Sequence, residues 1–174
     1  MERYCENYLK LEGNETDISR FVAKIQTENK GKLTYDFVIP RFLEFPQAFR
    51  NAPKSEEERQ ELISKYGYDN KDDWCIANWG TDDDCVEASY DESMHILTFV
   101  TWDSPPDKAI IAISKQFPTL KFTFEYKNFK AKEGPVADFG RFLCQNGKIE
   151  SEEYGKIKAV FCPTCEQVTT YTKL

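Results

Sequence analysis

The sequence predicts an α+β fold in which an antiparallel sheet carries two helices on one face. Three observations lead there. Several segments alternate apolar and polar residues with a period of two, two others carry apolar stripes at helical spacing, and the segments run strand, helix, strand, insertion, strand, strand, helix, strand. That order is close to a split βαββαβ arrangement with one extra segment. The chain has 174 residues, 40% hydrophobic and 14% aromatic, enough for a real core despite 30% charge; the length suits one domain. The expected division is a core over residues 1–134, broken by an insertion at 40–73, followed by a C-terminal β extension over 135–174.

The first strand runs from Tyr4 to Leu11, where Cys5, Leu9 and Leu11 share one parity and Glu6 and Lys10 the other. A helix follows, capped by Asn14 or Thr16; Ile18, Phe21, Val22 and Ile25 recur at i, i+3, i+4 and i+7, and its end is expected near Asn29 to Gly31. Leu33, Tyr35, Phe37 and Ile39 then alternate with polar residues as a second extended segment. Between Pro40 and Pro53, Phe42, Phe45 and Phe49 are interspersed with prolines, which favours a loop packed across the core.

Ser55-Glu56-Glu57-Glu58 is a capping box, and the short helix it opens ends at Gly67. A polar linker, Asp69 to Asp73, leads to Trp74-Cys75-Ile76-Ala77-Asn78-Trp79-Gly80-Thr81 and the acidic turn Asp82-Asp83-Asp84. Cys85 to Tyr90 and Met94 to Trp102 read as a hairpin around Asp91-Glu92-Ser93. Both parities of the second arm are apolar, as in a strand covered on both faces. Ser104-Pro105-Pro106-Asp107 starts a helix with Ser104 as its cap and Ala109, Ile110, Ile113 and Phe117 as its buried stripe. Leu120 to Lys127 is the cleanest amphipathic strand. The apolar stretches Phe139 to Cys144, Ile157 to Phe161 and Val168 to Tyr171 are expected as hairpins that extend a sheet or form a small lobe.

A net charge of -7 speaks against binding that depends on phosphate neutralisation. The most basic stretch, Lys127 to Lys132, reads as a solvated turn. No apolar run approaches the ~20 residues of a membrane span, and the opening residues have no basic segment followed by an apolar one, so a cytoplasmic location is expected.

Cys162-Pro163-Thr164-Cys165 is one half of a tetrahedral zinc knuckle. Cys144 is the candidate third ligand, and the alternative is free thiols in a C-terminal hairpin. Asp82, Asp83 and Asp84 suit a hard divalent cation by chemistry but lack the spacing of a calcium loop, which leaves an exposed acidic turn able to meet a basic partner surface. The one histidine, His95, excludes two-histidine mechanisms, and no GxSxG, HExxH or GxxxxGK[ST] motif is present. Trp79 is a candidate interface anchor with the three aspartates, while its setting between a polar loop and the acidic turn favours burial under the insertion with Asn78 bonding backbone groups.

Four pieces of the chain resemble the YubB-type ferredoxin-like domain family of phages, plasmids and other bacterial mobile elements. They are Cys5-Glu6-Asn7-Tyr8-Leu9-Lys10-Leu11-Glu12-Gly13, Ile39-Pro40, Trp74 to Thr81, and Phe99-Val100-Thr101-Trp102-Asp103-Ser104-Pro105-Pro106 leading into Ser114-Lys115-Gln116-Phe117-Pro118. After Thr81 the family pattern has a lysine and a further aromatic where this chain has Asp82-Asp83-Asp84. The resemblance implies a ferredoxin-like sandwich without an iron–sulfur cluster and a mobile-element origin, hence the cytoplasm of a bacterial host, and brings no catalytic residues with it. The function expected first is a non-enzymatic accessory protein that binds a macromolecular partner, such as a host or defence protein. The alternatives are a metal-dependent hydrolase or nucleotide-handling enzyme built on the acidic cluster, and nucleic-acid binding through the sheet. The last is disfavoured by charge and by the lack of an RNP-like aromatic pattern.

Overall fold

A computed structural model of the protein describes residues 4–129, 136–161 and 168–173. Strand β1 (Tyr4–Glu12) leads to helix α1 (Glu15–Ile25) and a small hairpin, β2 (Gln26–Asn29) and β3 (Lys32–Tyr35). Two 3₁₀ turns, Ile39–Arg41 and Gln47–Arg50, precede helices α2 (Glu56–Tyr66) and α3 (Lys71–Asn78). Then come β4 (Val86–Asp91), β5 (Ile96–Trp102), helix α4 (Asp107–Ser114) and the strands β6 (Lys121–Phe129), β7 (Val136–Gln145), β8 (Lys148–Phe161) and β9 (Val168–Lys173). The fold is α+β, with one antiparallel sheet ordered β4-β5-β1-β6-β7-β8-β9 and the β2–β3 hairpin standing apart. The C-terminal strands therefore extend the main sheet.

β1 alternates because one face of it is buried: Cys5, Asn7, Leu9 and Leu11 are at most 1% exposed. Phe122 and Phe124 of β6 and Leu97 and Phe99 of β5 continue that buried face across the register. α1 and α4 both pack on it. Phe21 of α1 is the hub, with ring centroids 5.0 Å from Phe42, 5.5 Å from Phe117 and 5.9 Å from Phe122, while Ala109, Ile110 and Ile113 bring α4 into the same cluster. Each fully buried side chain of this size contributes roughly 1.5–3 kcal/mol relative to exposure.

Several boundaries differ from expectation for local reasons. α1 ends at Ile25 because Lys30 (φ 51°) and Gly31 (φ 76°) form a two-residue turn with both φ angles positive, which pairs residues 26–29 with residues 32–35. Phe37 and Ile39 are fully buried but lie outside any ladder. The expected linker at Asp69 to Asp73 instead opens α3, whose cap is Asn70: its Oδ1 accepts from the Asp73 N–H at 2.8 Å. The helical part of the insertion thus runs past residue 73. Ser104 does not cap α4; its hydroxyl donates to the Gly80 carbonyl at 2.7 Å and ties the loop after α3 to the start of α4. β5 lies inside the sheet, yet Trp102 on its second face is 39% exposed, so that face is not a buried one. β4 forms one border of the sheet, with a bulge between Val86 and Ser89 where Glu87 has φ 54°. Among the described residues no helix is long and apolar enough to cross a membrane.

Candidate interaction surface

The residues singled out from sequence are not gathered into one site. Trp79 is 2% exposed, its ring packed against Phe45 (5.5 Å) and Trp74 (5.7 Å), and Asn78 Nδ2 donates to the Trp74 carbonyl. Its indole serves the core and cannot anchor a partner. The three aspartates diverge. Asp84 turns inward, where its Oδ1 accepts from the Ile39 N–H (2.8 Å) and the Cys85 N–H (2.9 Å). Asp83 pairs with Lys71 at 2.6 Å, which holds its carboxyl below the usual value although burial opposes this. Asp82 Oδ1 is buried with no hydrogen-bond partner, and burial, with Asp103, Asp72 and Asp83 nearby, pushes its carboxyl up.

Cys144 is fully buried on β7, where burial pushes its thiol up to about 11. Cys162 and Cys165 lie outside the described residues. Among the described residues, no group of three or more His, Cys, Asp or Glu side chains could hold a metal ion.

What the sequence did not bring together is the set of side chains on the face of the sheet opposite the helices. Because side chains alternate along a strand, the even residues of β1 all point there, joined in register by the even residues of β5 and the odd residues of β6. Tyr4 lies between Trp102 and Phe129, making an aromatic row across three strands, with the Tyr4 and Phe129 rings stacked at 5.0 Å. Tyr4 is 40% exposed and Trp102 39%. Four residues along β1, Tyr8 lies beneath the Lys127 ammonium, which is 5.2 Å from its ring centroid. Burial, and then the neighbouring Glu6, raise both tyrosine phenols, so they stay protonated and able to donate hydrogen bonds. A shallow depression of about 250 Å³ extends the face around Tyr8, Lys10, Ile96 and Arg141.

Charge on this face is matched pair by pair. Lys10 bridges Glu12 at 3.1 Å, Arg141 bridges Glu125 at 3.1 Å, and Lys127 stands opposite Glu6. An exposed sheet carrying aromatic anchors in a neutral polar setting has the composition of a protein–protein interface. The signal was present in sequence as the apolar second parity of residues 96–102. Comparison of the chain with protein-family models, with curated proteins and with solved structures finds no match.

Proposed function

We propose that this protein is a non-enzymatic binding module that docks a protein partner on the open face of its sheet. The observation that carries the reading is the aromatic row in which exposed Trp102 and Tyr4 adjoin half-buried Phe129. Tyr and Trp are the residues that most often dominate interface energetics, because they bury large rigid area with little loss of rotamer freedom. The reading extends to class: a YubB-type ferredoxin-like protein of a phage or other mobile element, with a host or defence protein as partner. The strand order β4-β5-β1-β6, with α1 and α4 as the two crossovers on one face, supports the ferredoxin-like assignment.

Nucleic-acid binding is the second reading, favoured by the aromatic row alone, since bases stack on exposed sheet aromatics. It is weaker because the cations Lys10, Lys127 and Arg141 each face a carboxylate and the net charge is -7; phosphate binding requires unmatched Lys and Arg.

The test is affinity capture from host lysate with wild-type protein and with a Tyr4→Ala/Trp102→Ala variant of unchanged melting temperature. The expected outcome is a discrete partner retained by the wild type and lost, by at least about tenfold, with the variant. Equal capture by both proteins refutes the open-face reading, and a single-stranded RNA mobility shift that the same variant abolishes replaces it with the second.

A further inference from the structure

On the helix side of the sheet, between α1 and the β4–β5 turn, lies a pocket of about 410 Å³, separate from the open face and lined chiefly by Glu15, Ile18, Val22, Tyr90, Glu92 and His95. Small-ligand sites span about 300–1,000 Å³. Its apolar side is Ile18, 4% exposed, and Val22, both packed on the core. Its aromatic wall is Tyr90 and His95, whose rings stack at 6.4 Å, backed by Tyr35 with its centroid 5.3 Å from that of Tyr90. Two carboxylates mark the rim, Glu15 from the first turn of α1 and Glu92 from the β4–β5 turn, and no lysine or arginine lines the pocket.

The wall is held in place from several sides. The Tyr90 hydroxyl is hydrogen-bonded to His95 Nδ1 at 2.9 Å, and the Tyr35 hydroxyl donates to Glu92. Asp91 Oδ1 accepts from the Ser93 N–H, the Ser93 hydroxyl and the Met94 N–H, which fixes the turn that carries Glu92. The His95 carbonyl accepts from the Leu11 N–H at 3.0 Å, anchoring the left-handed backbone of His95 (φ 53°) to the central strand. Burial pushes the Tyr90 phenol up to about 12, which argues against a nucleophile and leaves a neutral aromatic surface. Glu15 Oε1 lies 3.8 Å from His95 Nε2, so the titration is run above the imidazole range, where His95 is neutral; an apolar floor, aromatic rings and two carboxylates with no lysine or arginine beside them are then the components that recognise an alkylated ammonium.

We infer that this pocket receives a primary alkylammonium group, its aliphatic stem along Ile18 and Val22 and its cation between Glu15 and Glu92 beside the Tyr90 ring. The source is either a free amine or the lysyl side chain of a protein. The inference does not depend on the open-face reading.

His95 is the chain's one histidine, so its imidazole C–H signals in a proton NMR spectrum report on the pocket without assignment. The intact protein is titrated at constant pH with n-butylammonium chloride, with sodium chloride, with n-butanol as the neutral isostere, and with a blocked single-lysine peptide. The expected result is a saturable shift with butylammonium and none with salt or butanol over the same range. Glu15→Gln and Glu92→Gln should each weaken binding about threefold, as for exposed charge contacts, and the double variant should abolish the shift. Both positions are exposed, so these variants keep the fold, which an unchanged melting temperature verifies. Tighter binding of the peptide than of butylammonium supports a lysyl ligand, and the reverse supports a free amine. An equal shift with sodium chloride or butanol, a shift that never saturates, no shift at all, or full binding by the double variant overturns the inference.

Discussion

Asp82 and Asp84 are two residues apart and burial pushes both carboxyls up, but their hydrogen bonding differs. Asp84 gives its carboxylate to two backbone donors, Ile39 and Cys85, so Asp84→Ala leaves buried N–H groups unmet and should cost about 1–3 kcal/mol in urea unfolding. Asp82 buries an unpartnered oxygen beside other carboxylates. A carboxyl whose folded-state pKa is raised favours folding below its unfolded-state value, and that contribution is lost as pH rises through the folded one. Asp82→Asn should therefore stabilise the protein by about 1 kcal/mol near neutral pH, with a gain that fades as acid protonates the wild-type aspartate; equal gains at both pH values would contradict this. A third position depends on shape. Gly140 lies opposite Tyr126 in register, and a Cβ there would overlap the tyrosine ring, which covers the glycine from the neighbouring strand. Gly140→Ala should cost about 1–3 kcal/mol and be partly rescued by Tyr126→Ala. None of these roles was legible in sequence. Three adjacent aspartates look alike until the chain's path sends Asp84 inward and Asp83 to Lys71.

At the scale of elements, legibility followed how local the determining physics was. The cap of α1, which falls to Asn14 of the two candidates, the Ser55 and Gly67 caps of α2 and the alternation of β1 depend on neighbours within a few residues, and the structure has them as expected; β6 departs from its pattern, since Thr123 is buried along with Phe122 and Phe124. α3 was missed because its eight residues carry a weak apolar pattern, although Asn70, with its Oδ1 bonded to the Asp73 N–H, was a start signal in plain view. β5 was recognised but its second face misjudged. An apolar parity predicts contact and does not distinguish a buried helix layer from an exposed docking surface, a difference set by which elements return to cover it. α2 buries only Leu62 among its residues, so little tertiary packing holds it, and helices of this length are marginal alone. Its amides should exchange with deuterium well ahead of those of α1 and β1, and Ser55→Ala should accelerate that exchange further by removing a cap worth about 0.5–2 kcal/mol.

For the molecule as a whole, the sheet closes its core around thiols. Cys5, Cys75, Cys85 and Cys144 are all buried and free; burial pushes Cys5 and Cys75 up to about 12 and Cys85 well above its ordinary value. The thiolate is the reactive form, so these four should resist maleimide in the native protein and be modified together through the urea transition, a readout of global unfolding by peptide mass spectrometry. Early modification of any one of them would mean that its part of the core opens separately. The class of fold was legible because period-two and helical patterns survive over the whole chain. The seven-strand continuity of the sheet was not, since hairpins that extend a sheet and hairpins that form a lobe have the same local sequence. The interruption at Glu87 bears on a different property. A bordering strand with a regular ladder is a template on which another chain can polymerise into cross-β fibrils. With Val86 and Ser89 out of step across β5, the β4 border offers no continuous row of amides to an incoming strand, so the protein can expose aromatic side chains on its open face without that border also seeding aggregation.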